Sequence, residues 1–170
     1  GDIILRIPGK AGILQVAFPL SNIAKIFRHW LDWAMHPGYF ILGFFLVPLW
    51  REFHFYWVHR LIHWKPIYLH VHYLHHKNTN PNPWSGMAMH PIETALYLSV
   101  VLIHWVVPSH PLHFLFNLQH AALSPANGHH GFEGPIANGK VPTGSYFHYL
   151  HHRYFECNYG ESTVPLDRWF

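Results

Sequence analysis

Along residues 21–34, SNIAKIFRHWLDWA, apolar side chains fall at Ile23, Ile26, Phe27, Trp30 and Ala34, with Lys25, Arg28, His29 and Asp32 opposite them. This period predicts a helix with Ser21 or Asn22 as its N-cap. Basic residues set against tryptophans suit a helix lying in a membrane interface; an ordinary amphipathic surface helix is the alternative. Residues 38–50, GYFILGFFLVPLW, are apolar and uncharged, and the run continues through Arg51 and Glu52 into FHFYWVHRLIHW. A second apolar run covers 91–107 and a third 112–123. Each is shorter than the ~20 residues of a simple span, yet two helices of a hairpin broken at PSHP can enter a bilayer and return. NTNPNPWSG (78–86) and the Gly-, Pro- and Asn-rich stretch 124–144 predict loops. No strand-like alternation of useful length stands out. The pattern therefore predicts an all-α fold, an integral membrane helical bundle whose histidines gather at helix ends and in one loop.

Composition sharpens this expectation. Charged residues are 11% of the 170-residue chain, against roughly 25% in a typical soluble domain. Buried helices of a soluble protein are the alternative to lipid contact, and the low charge argues against them. The length fits a single domain, 1–170. A start at Gly1 and a stop at Trp169-Phe170 point to a fragment truncated at both ends. The net charge of +3 is spread singly among aromatics, as at Arg51, Arg60, Lys65 and Lys77, so no nucleic-acid stripe forms. A lone Cys157 excludes an intrachain disulfide and a cysteine-built zinc site.

Histidine is the outlier, with 19 copies. In HRLIH, His59 and His63 stand at i and i+4, one turn apart on one helix face. HVHYLHHK carries His72, His75 and His76, and FHYLHHR repeats the offsets 0, +3 and +4 with His148, His151 and His152. One metal takes at most about six ligands and needs open positions for chemistry. Eight imidazoles aimed at one place would therefore hold two ions, with the repeated box supplying equivalent half-cages. In apolar surroundings a neutral, metal-bound imidazole is lower in energy than a protonated one. Isolated histidines such as His36, His70, His104, His110, His113 and His120 read instead as caps or core residues.

The ordered set EFHFYWVHRLIH, HVHYLHHKNTNPNPWSGMAMHPIE and FHYLHHRYFECNYG, from about Trp50 to Phe170, resembles the histidine boxes of the fatty acid hydroxylase/sterol desaturase superfamily. HPIE (90–93), NYG (158–160) and LDRWF (166–170) are similar to further elements of that family. HHGFEG (129–134) is similar to the element that adds one more histidine ligand, and its spacing favours His129 over His130. His54, five before His59, and His90 rank with His130 as second-tier ligands. Glu93 and Asp167 are candidates to orient histidine N–H groups. HPGY (36–39) is similar to a haem-ligand motif of cytochrome b5 domains, but Tyr39 replaces its second glycine and an apolar helix follows at once.

The resemblance implies an integral membrane oxidoreductase with two iron ions and O2 as co-substrate, hydroxylating or desaturating a lipid. Zinc can occupy such a cage in a purified sample. Attack on an unactivated C–H bond needs a redox cofactor, so electrons must come from an external cytochrome b5-like or ferredoxin-like donor. Arg60, Lys77 and Arg153 flank the boxes, which by the basic bias of cytoplasmic loops turns the metal site to the cytoplasm. The membrane would be the endoplasmic reticulum in a eukaryote or the inner membrane in a bacterium. The main rival is a membrane metal-binding or transport protein without oxygenase activity. A zinc hydrolase is disfavoured, because no H-E-x-x-H occurs.

Overall fold

The computed structural model describes residues 2–9, 12–19, 36–132 and 145–170. The chain opens in an antiparallel hairpin, β1 (Asp2–Gly9) and β2 (Gly12–Pro19), with Asp2 opposite Pro19 and Gly9 opposite Gly12. This corrects the expectation of no strands. Ile3, Ile4 and Leu5 follow one another without a polar residue between them, which hides the two-residue period even though such residues suit strands. From His36 onward the described chain is helix and loop, in keeping with the all-α expectation. The interfacial helix expected at 21–34 lies outside the described residues.

Helix α1 (Pro37–Ile62) joins the first apolar run to the first histidine box without a break. Pro37 stands at its start, where a missing N–H costs nothing, while Pro48 inside the helix removes one backbone bond. At 1.5 Å per residue α1 is roughly 39 Å long. The Lys65-Pro66 segment restarts the chain as α2 (Lys65–Ile67), followed by a π-helical turn over Tyr68–His72 and by α3 (Tyr73–His76). The second box thus straddles a π turn, where a regular α-helix was expected. Widened turns of this kind re-aim side chains and recur at functional sites.

After the Asn-Pro loop, whose Asn82 Oδ1 accepts from the N–H of Trp84 and of Ser85, a 3₁₀ turn covers Ser85–Met87. The second apolar run splits into α4 (Pro91–Leu98), a 3₁₀ stretch (Ser99–Leu102) and α5 (Ile103–Val106). It reverses around Pro108 into α6 (Pro111–Gly128). Both α4 and α6 begin His-Pro: His90 Nδ1 accepts from Ile92 N–H at 3.2 Å, and His110 Nδ1 from Leu112 N–H at 3.1 Å. Residues 124–128, expected as loop, continue α6 through Pro125. The third box lies on α7 (Tyr146–Tyr154), and α8 (Leu166–Trp169) closes the chain.

Helix α1 packs on α6 and α4 over a core of Tyr97, Val100 and Ala121, flanked by Trp50, Phe55, Met89, Leu98 and Val101. Beside this core the interior is lined by imidazoles, with His59, His72, His75, His76, His129, His148, His151 and His152 all buried. Among the described residues no helix is long and apolar enough to cross a membrane.

Candidate metal centre

Two groups of imidazole nitrogens converge side by side. His59, His63, His72, His76 and His151 form one and His75, His129, His148 and His152 the other, with ligand atoms within 4.8 Å of one another inside each group. The first box serves one cluster only. The second box divides, its i, i+4 pair His72 and His76 joining the first cluster while His75 crosses to the second. The third box divides the other way, with His148 and His152 in the second cluster and His151 in the first. Adjacent positions on a helix point about 100° apart, so H-x-x-H-H can feed two centres at once. His129, just past the end of α6, completes the second cluster.

Hydrogen bonds fix which nitrogen of most rings carries the proton. Backbone carbonyls only accept, so a ring nitrogen facing one must donate. Nδ1–H of His59 donates to the Tyr159 carbonyl, that of His151 to Cys157, and that of His129 to Pro125, each at 2.6 Å. His152 donates to Asn78 at 3.2 Å and His75 to Ala88 at 3.4 Å. His72 Nδ1 lies 2.7 Å from the Glu93 carboxylate. Each of these contacts leaves Nε2 as a bare lone pair turned inward.

The Nε2 atoms within each cluster lie close together. His129 Nε2 lies 2.9 Å from His152 Nε2, 3.1 Å from His75 Nε2 and 3.2 Å from His148 Nε2. In the first cluster, the Nε2 atoms of His63, His76 and His151 form a triangle of 3.0, 3.1 and 3.2 Å. Nitrogens bound to one cation at about 2.0–2.1 Å sit roughly 2.9–3.4 Å apart. His72 Nε2 is buried with no hydrogen-bond partner. The donor set therefore fits a cation in each cluster, and a cation removes a repulsion that no arrangement of one proton per ring relieves.

Protonation offers no escape. Burial, reinforced by neighbouring rings, pulls His129 down to about 3, and burial alone does so for His72. The same desolvation takes His75 and His151 to about 4 and His63 and His152 to about 2. Burial pushes the Glu93 carboxyl up to about 7, so its contact with His72 lies in a dry setting.

The loop after α7 ties the anchors together. Asn158, at φ 56°, takes the left-handed conformation that asparagine tolerates, and its Nδ2 donates to the Phe147 carbonyl at 3.0 Å. This turn presents the Cys157 and Tyr159 carbonyls to His151 and His59. Asp167, expected to orient a histidine, instead accepts from the backbone N–H of Tyr159 and of Gly160, both at 2.7 Å. Three second-tier histidines stand outside both clusters. His54 meets Ser99 Oγ at 3.0 Å, His90 is occupied as the α4 cap, and His130 Nδ1 accepts from Phe132 N–H at 2.8 Å. The carbonyl acceptors carry no signal in the side-chain pattern, and only NYG hinted at the loop that holds two of them.

A cavity of about 260 Å³ opens beside both clusters. His59, His72, His75, His129 and His148 line one wall, and Phe55, Val58, Ile62, Met89 and Phe147 supply much of the rest.

Nine imidazoles converging in two adjoining groups make a histidine-box site whose donor set suits metal binding. The fatty acid hydroxylase family profile matches residues 44–170, and the chain belongs to that family. It is 34% identical to Delta(7)-sterol 5(6)-desaturase erg3A of Aspergillus fumigatus, an alignment covering 92% of this chain and 45% of the relative. It is 32% identical to Delta(7)-sterol 5(6)-desaturase ERG3A of Gibberella zeae over 82% of this chain and 37% of that one. A probable Delta(7)-sterol 5(6)-desaturase of Neurospora crassa is 33% identical, with 79% and 40% covered. The chain thus spans less than half the length of these relatives. No solved structure matches it.

Proposed function

We propose that the chain is the catalytic part of an O2-dependent lipid desaturase or hydroxylase, with one iron ion in each histidine cluster. The observation that carries this reading is the pair of converging Nε2 sets on the wall of an apolar cavity. The nine box and loop histidines, His59, His63, His72, His75, His76, His129, His148, His151 and His152, are the proposed ligands. Bound iron would supply the O2-activating redox chemistry that side chains lack. The protein's share is positioning. Carbonyls of Asn78, Ala88, Pro125, Cys157 and Tyr159 hold the rings in one tautomer, and Glu93 holds His72. Phe55, Val58, Ile62, Met89 and Phe147 keep water from the reacting C–H bond and give a hydrocarbon substrate its binding energy. The family relatives named as sterol desaturases favour desaturation of a sterol-like lipid.

The same reading places the apolar end in a membrane. No Asp, Glu, Lys or Arg occurs in 36–50 or 94–132, while Ile41, Leu42, Phe45 and Leu46 of α1, Trp105 and Val106 of α5, and Leu112 and Leu115 of α6 are exposed. Exposed hydrocarbon on this scale marks contact with something other than water. Arg60, Lys65, Lys77 and Arg153 are exposed near the boxes, where an external cytochrome b5-like or ferredoxin-like donor would dock and where the bilayer faces the cytoplasm.

The test loads the full-length protein anaerobically with Fe(II), then adds a reductant, a lipid extract and O2. Lipid-dependent oxygen uptake with a desaturated or hydroxylated product is the expected outcome. Tight metal binding without oxygen chemistry would transfer the protein to the class of metal carriers.

A further inference from the structure

The cavity has a second, polar wall that the metal ligands do not explain. Tyr97 from α4, Ser124 from α6, and Glu161 and Thr163 from the loop before α8 line it. Behind them Arg51 is almost fully buried, ion-paired with Glu161 and donating from Nη1 to the Tyr97 hydroxyl at 3.3 Å. A buried ion pair is weak grounds for stability by itself, because desolvation offsets its attraction. Its presence in the wall of an apolar cavity asks for another use.

The charges on that wall restrict what can bind. Among the described residues no lysine or arginine lines the cavity, and the nearest guanidinium, Arg51, is committed to Glu161. A carboxylate or phosphate head group would find no partner there and would meet the Glu161 carboxylate. A neutral hydroxyl suits it, since a carboxylate has about four lone-pair sites and one ion pair leaves room for another donor. Arg51 in turn fixes the Glu161 side chain before any ligand arrives, which lowers the ordering cost of binding.

We propose that Glu161, braced by Arg51, anchors the single hydroxyl of an otherwise apolar lipid, so that the site selects lipid alcohols over free fatty acids. This rests on the lipid-oxidising reading above and adds to it a positioning residue. Holding the hydroxyl at one wall sets which part of the hydrocarbon lies against the histidines on the other.

The test is equilibrium binding to the iron-loaded full-length protein in detergent micelles at fixed lipid mole fraction. The probes are cholesterol and its methyl ether, octadecanol and its methyl ether, and oleate. A hydrogen bond to a charged acceptor is worth about tenfold or more in affinity. The wild type should therefore prefer at least one alcohol about tenfold over its own ether and over oleate, with preference in the cholesterol pair alone marking a sterol site. Glu161→Gln, which keeps an acceptor oxygen, should retain part of the preference. The double variant Arg51→Met/Glu161→Leu, which removes both partners of the ion pair, should bring the ratio to about one. Equal binding of alcohol and ether by the wild type, or a preference for oleate, overturns the proposal whatever the variants do. So does a double variant that keeps the tenfold ratio. Because binding is read without turnover, the preference in a protein that consumes no oxygen would support the anchor and count against the oxygenase alone.

Discussion

A Cβ built on Gly86 would lie 2.2 Å from the Pro125 carbonyl oxygen and 2.7 Å from His129 Nδ1, the two atoms whose hydrogen bond fixes that ring. Backbone cannot yield that far, so Gly86→Ala must displace His129. Loss of such an orienting contact weakens metal affinity roughly 10–100-fold. Elemental analysis of this variant should find the second cluster depleted and the first retained, with the circular dichroism unchanged. Asp167 acts at one remove, holding the loop whose carbonyls receive His59 and His151. Asp167→Ala strands the N–H groups of Tyr159 and Gly160, at about 1–3 kcal/mol for each one left buried without a partner. It should lower the melting temperature and weaken the first cluster more than the second.

Elements matter here through the directions they give to side chains. The π turn before α3 and the regular turns of α7 each send one histidine across to the neighbouring cluster and keep an i, i+4 pair together. The box histidines were legible because a repeated offset on a helix face is visible in the sequence, whereas the direction of the crossing depends on how α3 and α7 face each other. Carbonyl anchors stayed hidden, since every residue carries one. Residues 124–128 looked like loop, but a proline forfeits only one hydrogen bond and the Ala121-Ala122-Leu123 run favours helix strongly enough to carry past it. The α1–α6 contact gives a control outside the metal centre. A Cβ on Gly43 would lie 2.6 Å from the His113 ring, which the Phe40 carbonyl holds at 2.7 Å. Gly43→Ala should cost about 1–3 kcal/mol by overpacking. Thermal unfolding should report that loss while metal content stays at the wild-type level.

At the scale of the whole molecule, charge and hydrocarbon are segregated among the described residues. The uncharged segments 36–50 and 94–132 carry much of the exposed hydrocarbon, while Arg60, Lys65, Lys77 and Arg153 stand exposed near the histidine boxes. Burying so many neutral imidazoles makes stability depend on pH with a definite sign. Their folded pKa values, about 2 to 4 for His63, His72, His75, His129, His151 and His152, lie below the unfolded value near 6.5. The unfolded chain therefore binds more protons once the pH falls below about 6.5. The stabilisation is fully present above that pH and is lost progressively beneath it. Denaturant unfolding of the metal-free protein should show a steep fall in stability from pH 7 to pH 5 and little change from pH 7 to pH 8. Metal-loaded protein should resist the same fall, because the cations bind only neutral rings. The division of nine histidines between two cations can be read by anaerobic Fe(II) titration of the full-length wild type beside His63→Ala and His152→Ala. Two irons per wild-type chain, with each variant losing mainly the iron of its own cluster, is the expected result; a single iron in the wild type would break the two-centre description.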